Sequence, residues 1–295
     1  MTASTTMNAA ADEKTEPLHI SAAALVSGIL GFALWGIGSL IRAVNLENVE
    51  IARALEVVGP LLIALAIILY VDHLSNRIGR TAVALLIIGP IVYGISRIPA
   101  LLEWRTDRWA RYEWTSYAVG HLLVGLGLMM VAVHKERQMH AALDHYEANA
   151  GGPAPEITVH ASFISLLSAA GGLILVAISE FDDIAGGIDP VRNRFDFVLR
   201  AVGALLITIG IVYHVDHLIR RIGLPAVSVA IAASLAWFFA YVPRVYNPHF
   251  DSGHGDAAHW GDVKWVSFGV AYLLAALAGV LVLVHKRQLE RRRSG

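Results

Sequence analysis

Eight apolar runs, each near the ~20 residues a helix needs to cross a bilayer core, dominate the chain and leave few architectures open to it. They lie at roughly residues 19–41, 51–72, 80–102, 114–134, 160–181, 196–217, 224–243 and 264–285. A backbone inside hydrocarbon must satisfy its own hydrogen bonds, so runs of this length predict helices. Composition agrees: 56% of residues are hydrophobic, 16% are charged and the mean hydropathy is +0.58. A soluble domain carries about a quarter charged residues. The expected fold class is an all-α integral membrane protein, with the lipid bilayer as its first partner.

The runs are expected to form two copies of one unit. Val71-Asp72-His73-Leu74, followed by Arg77-Ile78-Gly79, returns 144 residues later as Val215-Asp216-His217-Leu218, followed by Arg221-Ile222-Gly223. Trp114-Thr115-Ser116-Tyr117 answers to Trp265-Val266-Ser267-Phe268, and Val133-His134-Lys135 to Val284-His285-Lys286, at an offset of 151. Ser27 and Gly31 answer to Ser168 and Gly172, and His19 to His160, at an offset of 141. Four spans per unit is an even number, so both units enter the membrane from the same side, as parallel repeats. The expected organisation is a disordered leader 1–17, a first four-helix repeat 18–135, a cytoplasmic linker 136–159 with Gly151-Gly152-Pro153, a second repeat 160–287, and a basic tail 288–295. The leader lacks the basic n-region of a signal peptide, so the first run is expected to stay as a helix.

Basic residues orient the bundle. Arg77, Arg80, Lys135, Arg137, Arg220, Arg221, Lys286 and Arg291 share the side that holds both termini. The positive-inside rule makes that side cytoplasmic, in a multi-pass protein of the cell membrane. Trp104, Trp109, Trp114, Trp260 and Trp265 then form an outer aromatic belt.

Charges near the outer face reverse sign between units: Glu56 aligns with Arg200, Glu113 with Lys264, Glu50 with Arg194 and Arg42 with Asp183. Near a pseudo-twofold axis opposite signs attract, so Glu56–Arg200 is the expected staple between halves. The small-residue steps Ser27–Gly31 and Ser168–Gly172 let backbones approach closely, at a contact between halves or between copies of a homo-oligomer.

Three groups of residues could carry chemistry. The outer loop after the seventh run reads His249, Asp251, His254, Asp256 and His259 at H-x-D-x-x-H-x-D-x-x-H spacing, where the first unit has no histidine. Imidazole and carboxylate together suit a transition metal ion such as zinc, copper or nickel. At the cytoplasmic ends of the helices stand Asp72, His73, His134, His214, Asp216, His217 and His285, able to form an inner cluster that binds a metal or passes protons. His121, matched by Tyr272 in the second unit, is an ionisable group at membrane depth and a candidate cofactor contact.

Other classes lose support. A net charge of −1 offers no basic field for nucleic acid. With no cysteine there is no disulfide or thiolate metal ligand. No phosphate loop, nucleophile elbow or His-Glu-x-x-His helix occurs, which disfavours a self-contained enzyme. The leading expectation is binding or transport of a small cation, captured by the outer loop. The alternatives are a membrane redox subunit holding haem, copper or quinone, and a structural subunit of a membrane complex.

Overall fold

The computed structural model describes residues 21–44, 49–102, 107–148, 157–185, 190–246 and 257–294. Among these residues the regular structure is helical, without strands. In chain order the helices are α1 (Ala22–Val44), α2 (Val49–Ile68), α3 (Val71–Ile78), α4 (Arg80–Ser96), α5 (Ile98–Leu101), α6 (Asp107–Ala148), α7 (Phe163–Ala185), α8 (Pro190–Val212), α9 (Val215–Ile222), α10 (Leu224–Phe239), α11 (Val242–Tyr246) and α12 (Ala257–Ser294). Six of them, α1, α2, α6, α7, α8 and α12, are long and apolar enough to cross a membrane. The chain is a polytopic membrane protein. The apolar helices α4 and α10 are shorter, at 17 and 16 residues.

Eight helices close into a ring. Each packs on two neighbours in the order α1, α2, α4, α6, α7, α8, α10, α12 and back to α1. Small residues make this possible. The buried positions of α1 are Ala24, Ser27, Gly31, Gly36, Gly38 and Ser39, while Val26, Leu30, Ile37 and Val44 face outwards. Lipid is as apolar as leucine, so large aliphatics gain nothing by turning inwards, and close backbone packing drives association instead.

The paired small-residue steps seal α1 against α2 and α7 against α8. A Cβ on Gly31 would lie 2.7 Å from the Gly59 carbonyl oxygen of α2, and one on Gly172 would lie 2.3 Å from that of Gly203 in α8. Ser27 Oγ donates to the Leu62 carbonyl at 2.8 Å, and Ser165 Oγ donates to that of Gly210.

Several boundaries depart from the hydropathy pattern. The repeated Asp-His motif does not end a span. It opens α3 and α9, separate eight-residue helices entered after turns at Tyr70 and His214. Each closes at a glycine, Gly79 (φ 89°) or Gly223 (φ 86°). Only glycine adopts this region readily. The rings of His134 and His285 lie 3.3 and 3.2 Å from where a Cβ would stand. The run 80–102 is broken at Arg97 between α4 and α5, and the run 224–243 breaks after Phe239. Helix α6 continues to residue 148, through what reads as linker, and α12 to residue 294, through what reads as tail. At 42 residues α6 is about 63 Å long, so its polar end must leave a ~30 Å hydrocarbon core. Residues 1–17 lie outside the described residues.

Beyond α6 the chain turns back under the ring. Thr158 Oγ1 donates to the Arg77 carbonyl at 2.9 Å, Gln138 Nε2 donates to Thr158 Oγ1 at 2.7 Å, and Lys135 Nζ donates to the Ala161 carbonyl at 2.5 Å. This strap buries Val159 against Ala82, Val131, Ala132 and Leu166.

Candidate functional site: a lumen with an ion-paired outer end

A cavity of about 480 Å³ is lined by residues of all eight helices of the ring. Its wall is aliphatic and aromatic: Phe32 from α1, Ile63 from α2, Val124 and Leu128 from α6, Leu173 from α7, Ile207 and Ile211 from α8, and small residues from α10 and α12. The volume falls within the range of small-molecule sites.

At the end nearer Arg97 the cavity is encircled by aromatic rings. Trp35 stacks on Tyr272 at 4.2 Å and meets Tyr93 at 4.8 Å. Tyr93 contacts His121 edge-on at 5.2 Å, and His121 lies 6.1 Å from Trp237. Trp237, Tyr241, Phe268 and Tyr272 complete the circle at 6.3, 5.4 and 6.4 Å. Offset and edge-to-face contacts of this kind hold rings in place as well as bury them.

Above the collar lies a small polar chamber of about 50 Å³, bordered by Ser39, Arg97, Glu180, Arg200 and Lys264. Arg97 joins this chamber to a cluster of charged side chains beside it. The Glu56 carboxylate, 1% exposed, accepts from Arg42 at 3.3 Å and pairs with Arg97 at 3.2 Å. Arg97 also pairs with Glu113, which accepts from the Tyr117 hydroxyl at 3.2 Å. Two cations and two anions neutralise each other, the condition under which ionised groups persist at such depth.

The expected Glu56–Arg200 staple is therefore not what forms. Glu56 is held by arginines of its own half, and Arg200 Nε donates to Ser179 Oγ at 3.0 Å. The reason is geometric: alignment identifies equivalent positions, and equivalence across an axis is not adjacency. Cation–π contacts join α1 to α12 and α8 to α6 here, with Arg42 3.9 Å above Trp265 and Arg200 5.7 Å from Trp114. Trp265 faces the half-buried Arg42, and Trp114 faces the buried Arg200. The side chains of Trp104, Trp109 and Trp260 lie outside the described residues.

An ionisable pair joins α6 to α7 at the cavity mouth. His121 Nδ1 of α6 lies 2.8 Å from Glu180 Oε2 of α7, with the side chains 12% and 7% exposed. A carboxylate beside Nδ1 holds the proton there and leaves Nε2 as an acceptor, which fixes both tautomer and ring orientation. His121 is the one histidine among the described lining residues. In the sequence Glu180 reads as one of several acids at a helix end; a finer signal is that at the 141-residue offset it stands where Ser39 does.

The inner histidines do not gather in one place. His73 stacks on Tyr70 at 4.6 Å; His134 lies under Gly79, with Gln138 at 3.1 Å; His285 lies under Gly223. His214 and His217 stack at 4.6 Å, and His217 stacks on His160 at 5.7 Å. Burial pushes the imidazoles of His214 and His217 below their ordinary value, His217 down to about 4; Lys135 and Arg221 add repulsion at His214, and His214 and Arg221 add it at His217. Asp72 and Asp216 are exposed. Among the described residues no group of three or more His, Asp or Glu could hold a metal ion. The loop residues His249, Asp251, His254 and Asp256, and the side chain of His259, lie outside the described residues.

No protein-family model, no curated protein and no solved structure matches the chain.

Proposed function

We propose that this protein binds a quinone-class molecule of the membrane phase in the central cavity, the ring head at His121 and the apolar remainder below it. In this reading the chain has eight spans, arranged as parallel repeats 18–135 and 160–287 joined by 136–159, with both termini cytoplasmic in the cell membrane. The observation that carries it is the His121–Glu180 pair at the mouth of an otherwise apolar, eight-helix cavity. A neutral imidazole anchored by a carboxylate accepts a hydrogen bond from a phenolic head, and protonated it donates to a carbonyl. The phenols of Tyr93 and Tyr272 line the same end, and aromatic faces suit a flat ring. A bare cation in the same space would lose its hydration without a ligand set to replace it.

The test is titration of the protein, in lipid nanodiscs, with a tail-free benzoquinone, reading tryptophan fluorescence. Trp35 and Trp237 line the cavity, so binding should quench saturably. Replacing His121 with phenylalanine keeps the ring and removes the acceptor, and is expected to weaken binding about tenfold or more. Quenching that does not saturate, or is identical in H121F, would sink the proposal.

The cation reading belongs to a different part of the chain. The spacing His249, Asp251, His254, Asp256 and His259 supports capture of zinc, copper or nickel at the outer surface. Calorimetric titration of the full-length protein with each metal, against a variant with the three histidines changed to alanine, should show micromolar binding lost in the variant. Equal heats from both proteins would remove this reading.

A further inference from the structure

A second cavity, of about 330 Å³, continues the lumen towards the inner surface. It shares Phe32, Ile63 and Ala275 with the central cavity and runs on past Gly28 and Gly279 to Tyr70, at the turn before α3. From Trp35 at the collar to Leu25 in the inner cavity the lane follows ten residues of α1, about 15 Å. Its walls are carbon apart from the Tyr70 hydroxyl, so nothing there orients a polar head.

The residues that line the lane differ between the two sides of the ring. At the 151-residue offset, Ala275 and Gly279 of α12 stand where α6 has Val124 and Leu128. Leu128 packs against the cluster that the strap residue Val159 helps to close.

We infer that the inner cavity is the tail subsite of the same ligand: an isoprenoid or alkyl chain descends from the ring head past Phe32 and lies along α1. This rests on the central-cavity reading and adds to it the length and direction of the molecule. Leaving hydrocarbon for this lumen brings a tail no hydrophobic gain, so the favourable term is van der Waals contact with walls that otherwise lack a neighbour.

The experiment compares decyl-tailed and tail-free forms of one benzoquinone, again in nanodiscs, so that partition into lipid is common to all variants. Gly28→Leu fills the inner cavity. A Cβ at Gly28 meets only the Ala66 Cβ, at 3.6 Å, which is ordinary contact, and Gly28→Ala serves as the folding control. The decyl form is expected to bind about tenfold more weakly to G28L, with the tail-free form unchanged and G28A like the wild type. If G28L melts early, Ile67→Trp fills the same space from α2. Decyl affinity within about twofold of wild type, with the tail-free form still bound, overturns the tail subsite and leaves the central cavity standing. A G28L protein that melts normally yet loses both ligands overturns the division into head and tail subsites. Failure of both ligands on the wild-type protein removes the central-cavity reading itself.

Discussion

Replacing Glu56 with alanine is expected to cost the folded protein about 3–5 kcal/mol, the largest effect of any single substitution considered. The carboxylate is almost wholly buried and is the shared partner of Arg42 and Arg97. Its removal leaves two arginines competing for Glu113 alone, in a setting where an uncompensated charge cannot be solvated cheaply. Loss of the pairs is therefore the smaller part of the cost; the stranded cations are the larger. The measurement is a thermal or denaturant melt in a fixed detergent. The double variant Glu56→Leu with Arg97→Met separates the two terms, because replacing both partners of a buried pair by apolar groups is often nearly neutral. A single variant that melts within about 1 kcal/mol of wild type would mean that water reaches the cluster and screens its charges.

The second large effect contrasts two adjacent glycines of α7. Gly172→Ala is expected to destabilise by about 3 kcal/mol or more, since its Cβ would lie 2.3 Å from the Gly203 carbonyl oxygen and backbone cannot rotate aside. Gly171 has nothing within 4 Å of its Cβ position, so Gly171→Ala should be neutral or stabilising by up to about 1 kcal/mol, through helix propensity alone. Two neighbours thus respond with opposite sign. Equal melting of the two variants would show that α7 and α8 are not in backbone contact.

The Asp-His motif was conspicuous in the sequence, yet its aspartates lie exposed and its histidines serve separate turns. Repetition marks a structural unit, and a turn is copied as faithfully as a ligand. His121 attracted attention as an ionisable group at depth. Its partner lies 59 residues away on another helix, and no local pattern joins them. The extensions of α6 and α12 carry no apolar run because they are exposed on most sides, so hydropathy ends before the helices do.

The chain by itself determined that it is helical and membrane-embedded, since long uncharged runs can satisfy their backbones in hydrocarbon in no other way here. It also determined where small residues permit close approach. The tertiary structure alone decided which faces meet, and with them the ring, its lumen, the Glu56–Arg97 cluster and the His121–Glu180 pair. The physical reason is that inside a bilayer the apolar pattern says only that a helix is submerged. Which of its faces turns inwards is set by packing between partners distant in the chain.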